Sequence, residues 1–479
     1  MTAFPASSFW VFLVLAAPAS ASVLALVPHA AASRWAARTG ALLALLAAAA
    51  LLVSSTAGRW GPYLGVDALS EVFLLMVASI YATSVWYSDG YLAAVHRPFL
   101  TPQVYYALLG AFAFAMLATL VVTDLGLMWI GIEATTVASA LLVVLERRPT
   151  SVEAAWRYTL IASAGLTVAL FALLLIYAST GSLDAFRLAA SPPPVTRTLL
   201  MAVALALVGY GTKVGLFPMH TWLPDAHSEG PSPVSAMFSG VLLPTALYAF
   251  LRVYALVPRP VPPSIEALLL AFGLLTAVLG AFLLQRQRSF KRMFAYSSME
   301  VMGLALVGVG IGGIALYGAL LLLFAHAFAK SSAFYCAGNV LRADGTTHID
   351  DIRDLRHRLP RTAGAWVLAS SAVTGAPPFG TFVGELLIVA GAITAGLTPV
   401  ALVVILAILV AFLGVNSQVG RMVFGAPSGL RPATPSGPDR GAGIAWLNVG
   451  VALVLGVVAI PYLGPALRSA AALLGGSAP

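Results

Sequence analysis

Seven ionisable side chains fall inside apolar stretches of this chain: Glu71, Glu133, Lys213, Glu300, His326, Lys330 and Glu385. An ionisable group in the apolar part of a membrane segment is expensive, which makes each one a functional hypothesis by default. Burial disfavours the charged form of a carboxylate unless a cation or water compensates it, so such groups can take up and release protons. Lysine can do the same, whereas arginine keeps its proton in a protein. The chain has 26 basic residues, 23 arginines and three lysines, yet two of the three lysines, Lys213 and Lys330, sit in apolar runs. The plainer reading of Lys213 is a lysine near a helix end with its stem buried and its head in water. His326 and Lys330 are four residues apart, hence on one helix face. Alone, His326 reads as a hydrogen-bonded packing histidine; with Lys330 on the same face, the pair reads as a relay.

Lys213 lies in the stretch around which the chain is organised, Val208 to Ser235, VGYGTKVGLFPMHTWLPDAHSEGPSPVS. A hydrophobic helix breaks there at Gly215 and Pro218, crosses a segment with His220, Asp225, His227 and Glu229, and restarts at Pro231. Backbone groups freed by such a break are tolerated at membrane depth only where protein or water satisfies them. An interrupted helix with an ionisable residue at the break points to an ion pathway. His220, Asp225 and His227 could hold an ion; we favour a hydrogen-bonded support for the break or a proton entry point, and expect no metal. A second break, Gly375-Ala376-Pro377-Pro378-Phe379-Gly380, precedes Glu385 in the same manner.

The elements that must position these groups follow from composition. Of 479 residues 60% are hydrophobic and 9% charged, which a soluble protein of this length does not sustain. The expected fold is an all-α polytopic membrane protein. Apolar runs of spanning length fall near 8–28, 39–55, 66–87, 104–123, 125–145, 154–178, 198–217, 231–256, 264–284, 292–311, 313–341, 362–394, 399–424 and 442–463, about fourteen helices. The first reads as a transmembrane helix rather than a cleaved signal, since Met1 to Ser7 carry no basic residue. With the N-terminus outside, eighteen arginines and lysines, Lys291 among them, flank the cytoplasmic loops and six the opposite side, with Lys213 and Lys330 inside helices. The positive-inside rule therefore gives N-out and C-out, in a bacterial or archaeal cytoplasmic (inner) membrane.

Other chemistries are poorly supported. The net charge of +8 is spread over short loops, and no aromatic-basic cluster suits nucleic acid. Cys336 is the single cysteine, so this chain alone makes no four-cysteine iron–sulfur or zinc site. No Gly-rich phosphate loop follows a strand-like run. The loop Arg342 to Arg361, with His348, Asp350, Asp351, Asp354 and His357, could hold a metal but reads better as a solvated or docking surface. The Pro- and Gly-rich run Pro427 to Gly441 reads as a flexible loop.

Predicted helices seven and twelve, both broken, are an odd number apart and run in opposite directions, the mark of an inverted-topology repeat. We divide the chain into three N-terminal helices (1–103), a first five-helix repeat (104–256), a second (257–424), and a loop, last helix and tail (425–479). Asp124 and Glu133 belong to helix five of the first repeat, and Ser297, Ser298 and Glu300 to helix ten of the second.

From Val66 to Leu409 the chain resembles the antiporter-like proton-translocating subunits of complex I, Mrp antiporters and membrane-bound hydrogenases. The motifs are WIGIEATT at Trp129 to Thr136, TKVGLFPMHTWLPDAHSEGPSPVSA at Thr212 to Ala236, KRMFAYSSMEVMG at Lys291 to Gly303, HAFAKSSAFYCAGNVL at His326 to Leu341 and GAPPFGTFVGELLIV at Gly375 to Val389. Within that family it looks most like the hydrogenase-4 component F type, because it ends after helix fourteen and has SPVSA after the break. The resemblance implies a charge-coupled pair of Glu133 and Lys213, a central relay at Lys330 with His326, and Glu385 as the last group before proton exit. It also implies partners: other antiporter-like and small membrane subunits, and a soluble redox arm on the cytoplasmic side. Iron–sulfur clusters, a nickel-iron site or quinone would then belong to those partners and none to this chain. In one respect the chain departs from the pattern: many relatives carry a lysine in helix eight where this sequence has Pro244.

The implied mechanism is electrostatic: opening the Glu133–Lys213 pair frees the lysine's proton to pass towards Lys330 and Glu385. Two other readings use the same residues. One is a sodium/proton antiporter module of the Mrp type; the other is a poorly conducting scaffold coupled to a carbon-uptake or redox partner, which Pro244 would favour.

Overall fold

The computed structural model describes residues 6–55, 57–93, 95, 98–426, 441–458 and 461–476. The expected loop at Pro427 to Gly441 and the counted arginines Arg97, Arg431 and Arg440 lie outside the described residues, Gly441 excepted.

Helices dominate, as the apolar runs require. The N-terminal helices are α1 (Ala6–Leu24), α2 (Ala30–Ser54) and α3 (Ala68–Leu92). Then come α4 (Pro102–Val121), α5 (Leu125–Val143), α6 (Pro149–Thr180), the short α7 (Ala185–Ala190) and α8 (Arg197–Val214). The first break leads through α9 (Leu223–Glu229) and α10 (Ser232–Met237) to α11 (Leu243–Tyr254). Long helices follow: α12 (Pro263–Leu284), α13 (Phe290–Ile311) and α14 (Gly313–Asp344). After the single turn α15 (Leu355–Arg358), the second break separates α16 (Pro360–Val373) from α17 (Gly380–Thr394). The chain continues through α18 (Thr398–Phe424) and α19 (Ala442–Val457) to a short α20 (Leu463–Leu473).

Eleven of these helical spans, with contiguous pieces joined, are long and apolar enough to cross a membrane. The expected fourteen segments include three others, which are shorter: Ser8–Leu24, Gly380–Thr394 and Ala442–Val457. The middle one is short because its run is cut in two at Gly375. A further difference is a two-stranded ribbon, β1 (Gly58–Trp60) and β2 (Leu64–Val66), paired antiparallel, the only sheet among the described residues. Helix starts follow the sequence chemistry: Asp67, Thr101, Asp124 and Thr196 each accept a backbone N–H from the first turn of the helix they precede.

Burial runs inside out relative to polarity. Large apolar residues such as Phe171, Val137 and Leu402 are exposed on the periphery, as a lipid-facing surface requires. The polar side chains Lys213, His227, Glu300, His326 and Lys330 are buried in the centre. Helices α10 and α11 are wholly buried, with α8 against α11 and α14 against α10, so they form the axis between the two broken elements.

Pro244 shapes that axis. Proline cannot donate to Gly240, four residues back, and its ring crowds the preceding turn. The turn widens into a π-helix over Phe238–Leu242, with Leu243 N–H bonded to the Phe238 carbonyl. Ser239 thereby meets Ser298 of α13 through a hydroxyl–hydroxyl hydrogen bond.

Candidate functional site

Both breaks satisfy the backbone groups they free. At the first, Gly215 caps α8 at φ +84°, a conformation suited to glycine, and Leu216 N–H bonds back to the Gly211 carbonyl at 2.9 Å. The Trp222 indole donates to the Thr212 carbonyl at 2.8 Å, and Thr276 of α12 accepts the Phe217 N–H at 3.1 Å. Pro218 precedes the 3₁₀ turn Met219–Trp222. At the second, Ala376 N–H bonds to the Ser371 carbonyl at 2.9 Å, and the Thr381 hydroxyl donates to the Ala372 carbonyl. Pro378 sits in that break just before α17. These contacts are the protein-supplied partners that irregular backbone needs at membrane depth.

Lys213 ends α8 fully buried. Its Nζ donates to Thr136 Oγ1 at 2.7 Å and to the Tyr158 hydroxyl at 2.5 Å, and lies 4.4 Å from the Tyr158 ring centre. The snorkelling reading does not survive this burial. Thr136 is three residues after Glu133 on α5, so the acid is near enough to act on Lys213 through space. Glu133 itself is half-buried and accepts from Ser163 at 2.5 Å, with Oε2 left without a hydrogen-bond partner. The expected charge pair is therefore indirect: hydroxyls hold the lysine, and the acid is held separately at the edge of the chain.

Lys330 lies in the middle of α14, fully buried, and donates to the Phe294 carbonyl at 3.0 Å and to Ser297 of α13. His326, one turn earlier, is equally buried, and neither ring nitrogen has a hydrogen-bond partner. Glu300 of α13 is the acid whose charge acts on Lys330, and it acts on Glu385 as well. Glu300 is buried on α13, the helix that packs against both α14, which carries Lys330, and α17, which carries Glu385. Glu385 of α17 reaches back to the second break, where a Cβ on Gly375 would overlap its carboxylate. Glu71 is buried in the first turn of α3.

The residues around α9 divide. Asp225 is clamped by Arg292 at 2.7 Å and Arg157 at 3.4 Å, which ties α9 to α13 and α6. Glu229 accepts from Thr150 at 2.8 Å. His220 lies on the 3₁₀ turn between the Phe217 and Tyr296 rings, its Nδ1 unpartnered. His227 is fully buried, with Nδ1 at 2.7 Å from the Leu223 carbonyl and Nε2 unpartnered. In the loop 342–361, Asp354 pairs with His357 at 2.6 Å and Asp350 with Arg421 at 2.9 Å, and Asp344 pairs with Arg358. Those acids are spent on ion pairs within the loop and with α18.

The residue whose burial sequence reasoning missed is Lys291. It was counted as a loop flank, yet it is buried in the first turn of α13, with Nζ 2.5 Å from the Gly230 carbonyl. All three lysines are therefore buried. The signal was available in the scarcity of lysine itself.

Residues 122–411 match the family described as NADH:quinone oxidoreductase/Mrp antiporter, transmembrane. A hydrogenase-4 component F homolog of Methylacidiphilum infernorum is 36% identical over 69% of this chain and 73% of its own length. NADH-quinone oxidoreductase subunit N of Desulforudis audaxviator is 32% identical over 74% of each chain. In fold, a chain of the Mrp complex from Dietzia sp. superposes with a TM-score of 0.86 at 20% identity over 98% of both chains. A chain of the membrane-bound sulfane sulfur reductase, an archaeal respiratory membrane complex, gives 0.87 at 24% identity over 98% of this chain and 97% of that one.

Proposed function

Since the chain belongs to the NADH:quinone oxidoreductase/Mrp antiporter family of membrane subunits, we propose that it moves protons for a redox-driven membrane complex along the buried line Glu133, Lys213, His326 with Lys330, Glu300 and Glu385. One observation carries this reading: the lysines of an arginine-rich chain are all buried, and Lys213 and Lys330 rest on neutral hydroxyls and carbonyls. A hydroxyl or carbonyl accepts a hydrogen bond from an ammonium or an amine alike, so such a cage suits a group that must exist in both forms. The Glu133 carboxylate supplies the bias, and moving it alters how firmly Lys213 holds its proton.

The partners follow from this reading. Neighbouring membrane subunits would cover the Glu133 edge, where Ile130 and Val137 are exposed on the same helix. A soluble redox arm would sit on the arginine-rich side, which we assign to the cytoplasm, leaving both termini outside. Any iron–sulfur cluster, nickel-iron site or quinone would belong to those partners. The two broken helices would be equivalent elements of inverted repeats covering 104–256 and 257–424, within fourteen crossings.

The test is redox-driven proton uptake in membrane vesicles carrying the assembled complex, wild type against Lys213→Ala and Glu385→Gln. Uptake should fall by about tenfold or more while assembly and electron transfer persist. Unchanged uptake in both variants would make the broken helices architecture only. Wild-type uptake that survives replacing sodium by potassium speaks against the sodium/proton alternative.

A further inference from the structure

Of the two hydroxyls that hold Lys213, the one on Tyr158 of α6 has its direction fixed by what stands behind it. Ser139 of α5 lies 2.5 Å from the Thr135 carbonyl and 2.9 Å from the Tyr158 hydroxyl. A carbonyl oxygen only accepts, so Ser139 donates its proton to Thr135. Tyr158 must then donate to Ser139, and its oxygen is left to accept from Lys213 Nζ at 2.5 Å. Tyr158, Ser139 and Thr135 are all fully buried, where such bonds are strong.

This chain of hydroxyls runs one way and ends on backbone. No proton reaches or leaves Lys213 along it, because the carbonyl at its end has none to give and keeps none. Its O–H dipoles turn their oxygen ends towards the amine, and the Tyr158 ring centre lies 4.4 Å from the same nitrogen. Both favour the ammonium over the neutral amine. Other titratable groups surround the site. Glu133 of α5 is the charge that acts on Lys213. Tyr210 of α8 is buried one turn back, His220 lies on the turn after α8, and His227 stands beyond the Trp222 ring that packs on Tyr158. The helices against α8 also bear Glu153 and Arg157 of α6, paired with each other, Arg252 of α11, paired with Asp67, and Glu266 in the first turn of α12.

We propose that Tyr158 is a positioning residue which, directed by Ser139, keeps Lys213 in its ammonium form until the influence of Glu133 is withdrawn. The proton of Lys213 then leaves on a side of the amine other than the one Tyr158 occupies. This role deepens the proton-carrier reading of Lys213 and rests on it. Without the directed hydroxyl, Lys213 gives up its proton at a lower pH, so the alkaline limb of proton uptake moves towards acid.

The experiment follows protons taken up per electron pair against pH, in vesicles carrying the assembled complex. Wild type is compared with Tyr158→Phe, Ser139→Ala, Ser139→Thr and Lys213→Ala. Tyr158→Phe keeps the ring against Trp222 and Phe238, at 4.6 and 5.6 Å between centres, and loses only the hydroxyl. Its alkaline limb should move about one pH unit towards acid, the worth of one hydrogen bond to a charged group. Ser139→Ala leaves the tyrosine in contact with Lys213 but frees its proton to turn, so the limb should move the same way by less. Ser139→Thr keeps a hydroxyl and should bring the limb back to wild type. A packing role for Tyr158 would leave Ser139→Ala with the wild-type limb. That result, or a limb moved towards alkali, overturns the proposal. Should Tyr158→Phe fail to assemble, the two Ser139 variants decide by the same criteria. If Lys213→Ala takes up protons as wild type does, the carrier reading itself is wrong. If Lys213→Ala is dead while the limb stays in place in the other variants, only the role of Tyr158 is wrong.

Discussion

The two buried lysines that sequence alone picked out, Lys213 and Lys330, sit in different surroundings. Lys213 lies at the end of a helix beside a backbone break, held by two hydroxyls, with its acid half-buried at the margin of the chain. Lys330 lies mid-helix, with a bare histidine one turn away and a buried acid, Glu300, within its field. The first arrangement can be altered from outside, since Glu133 bonds to Ser163 and takes no part in the lysine's hydrogen bonds to Thr136 and Tyr158. The second is enclosed and can respond only through its own groups. A site that receives a signal and a site that stores and forwards charge would be built in these two ways.

The comparison breaks most sharply at Lys330. Replacing it by Met keeps the volume but removes the amine held by Phe294 and Ser297, the only lysine in that enclosed cluster. Uptake should drop by about a hundredfold or more in assembled complex, measured with a pH-sensitive dye in vesicles. A loss no greater than that of Lys213→Ala would remove the distinction between the two sites.

Glu133→Gln should cost less, about tenfold, because Lys213 keeps its bonds to Thr136 and Tyr158 when the charge is gone. The informative measurement is the coupling ratio, protons taken up per electron pair. It should fall while electron transfer continues, since the variant loses the bias and keeps the carrier. A variant that loses electron transfer in proportion would place Glu133 in assembly instead.

What was legible in the sequence was whatever breaks the apolar pattern. Lys213, Lys330, His326 and both Gly/Pro interruptions stand out of apolar runs; the three side chains are buried, and the interruptions fall between helices. Groups close to helix ends were less legible. Lys291 abuts Arg288 and Arg292 and was absorbed into a charge count, because composition cannot show which side of a first turn faces inwards. Likewise α2 starts at Ala30 and α6 at Pro149, both earlier than the apolar runs suggested, since a helix can begin in polar sequence once tertiary packing supports it. The surroundings of Glu300 depend on how α13 meets α14 and α17, which one sequence does not encode locally. Nor did the sequence suggest the ribbon at Gly58–Val66, whose strands are three residues each.

The smallest expected effect compares the two breaks themselves. Gly215 and Gly375 both take positive φ, so alanine at either position costs about 1–2 kcal/mol of backbone strain. Their neighbours differ. A methyl on Gly215 meets the end of the Leu223 side chain, an apolar group that can turn aside, whereas a methyl on Gly375 meets the Glu385 carboxylate. Thermal unfolding of the purified complex should show both variants destabilised to a similar degree. Uptake should separate them: near wild type for Gly215→Ala, lowered several-fold for Gly375→Ala, because only the second displaces a group on the proton line. Equal uptake in the two variants would mean that the second break supports Glu385 no more closely than the first supports Lys213. The packing of the carboxylate against Gly375 would then be incidental to proton transfer.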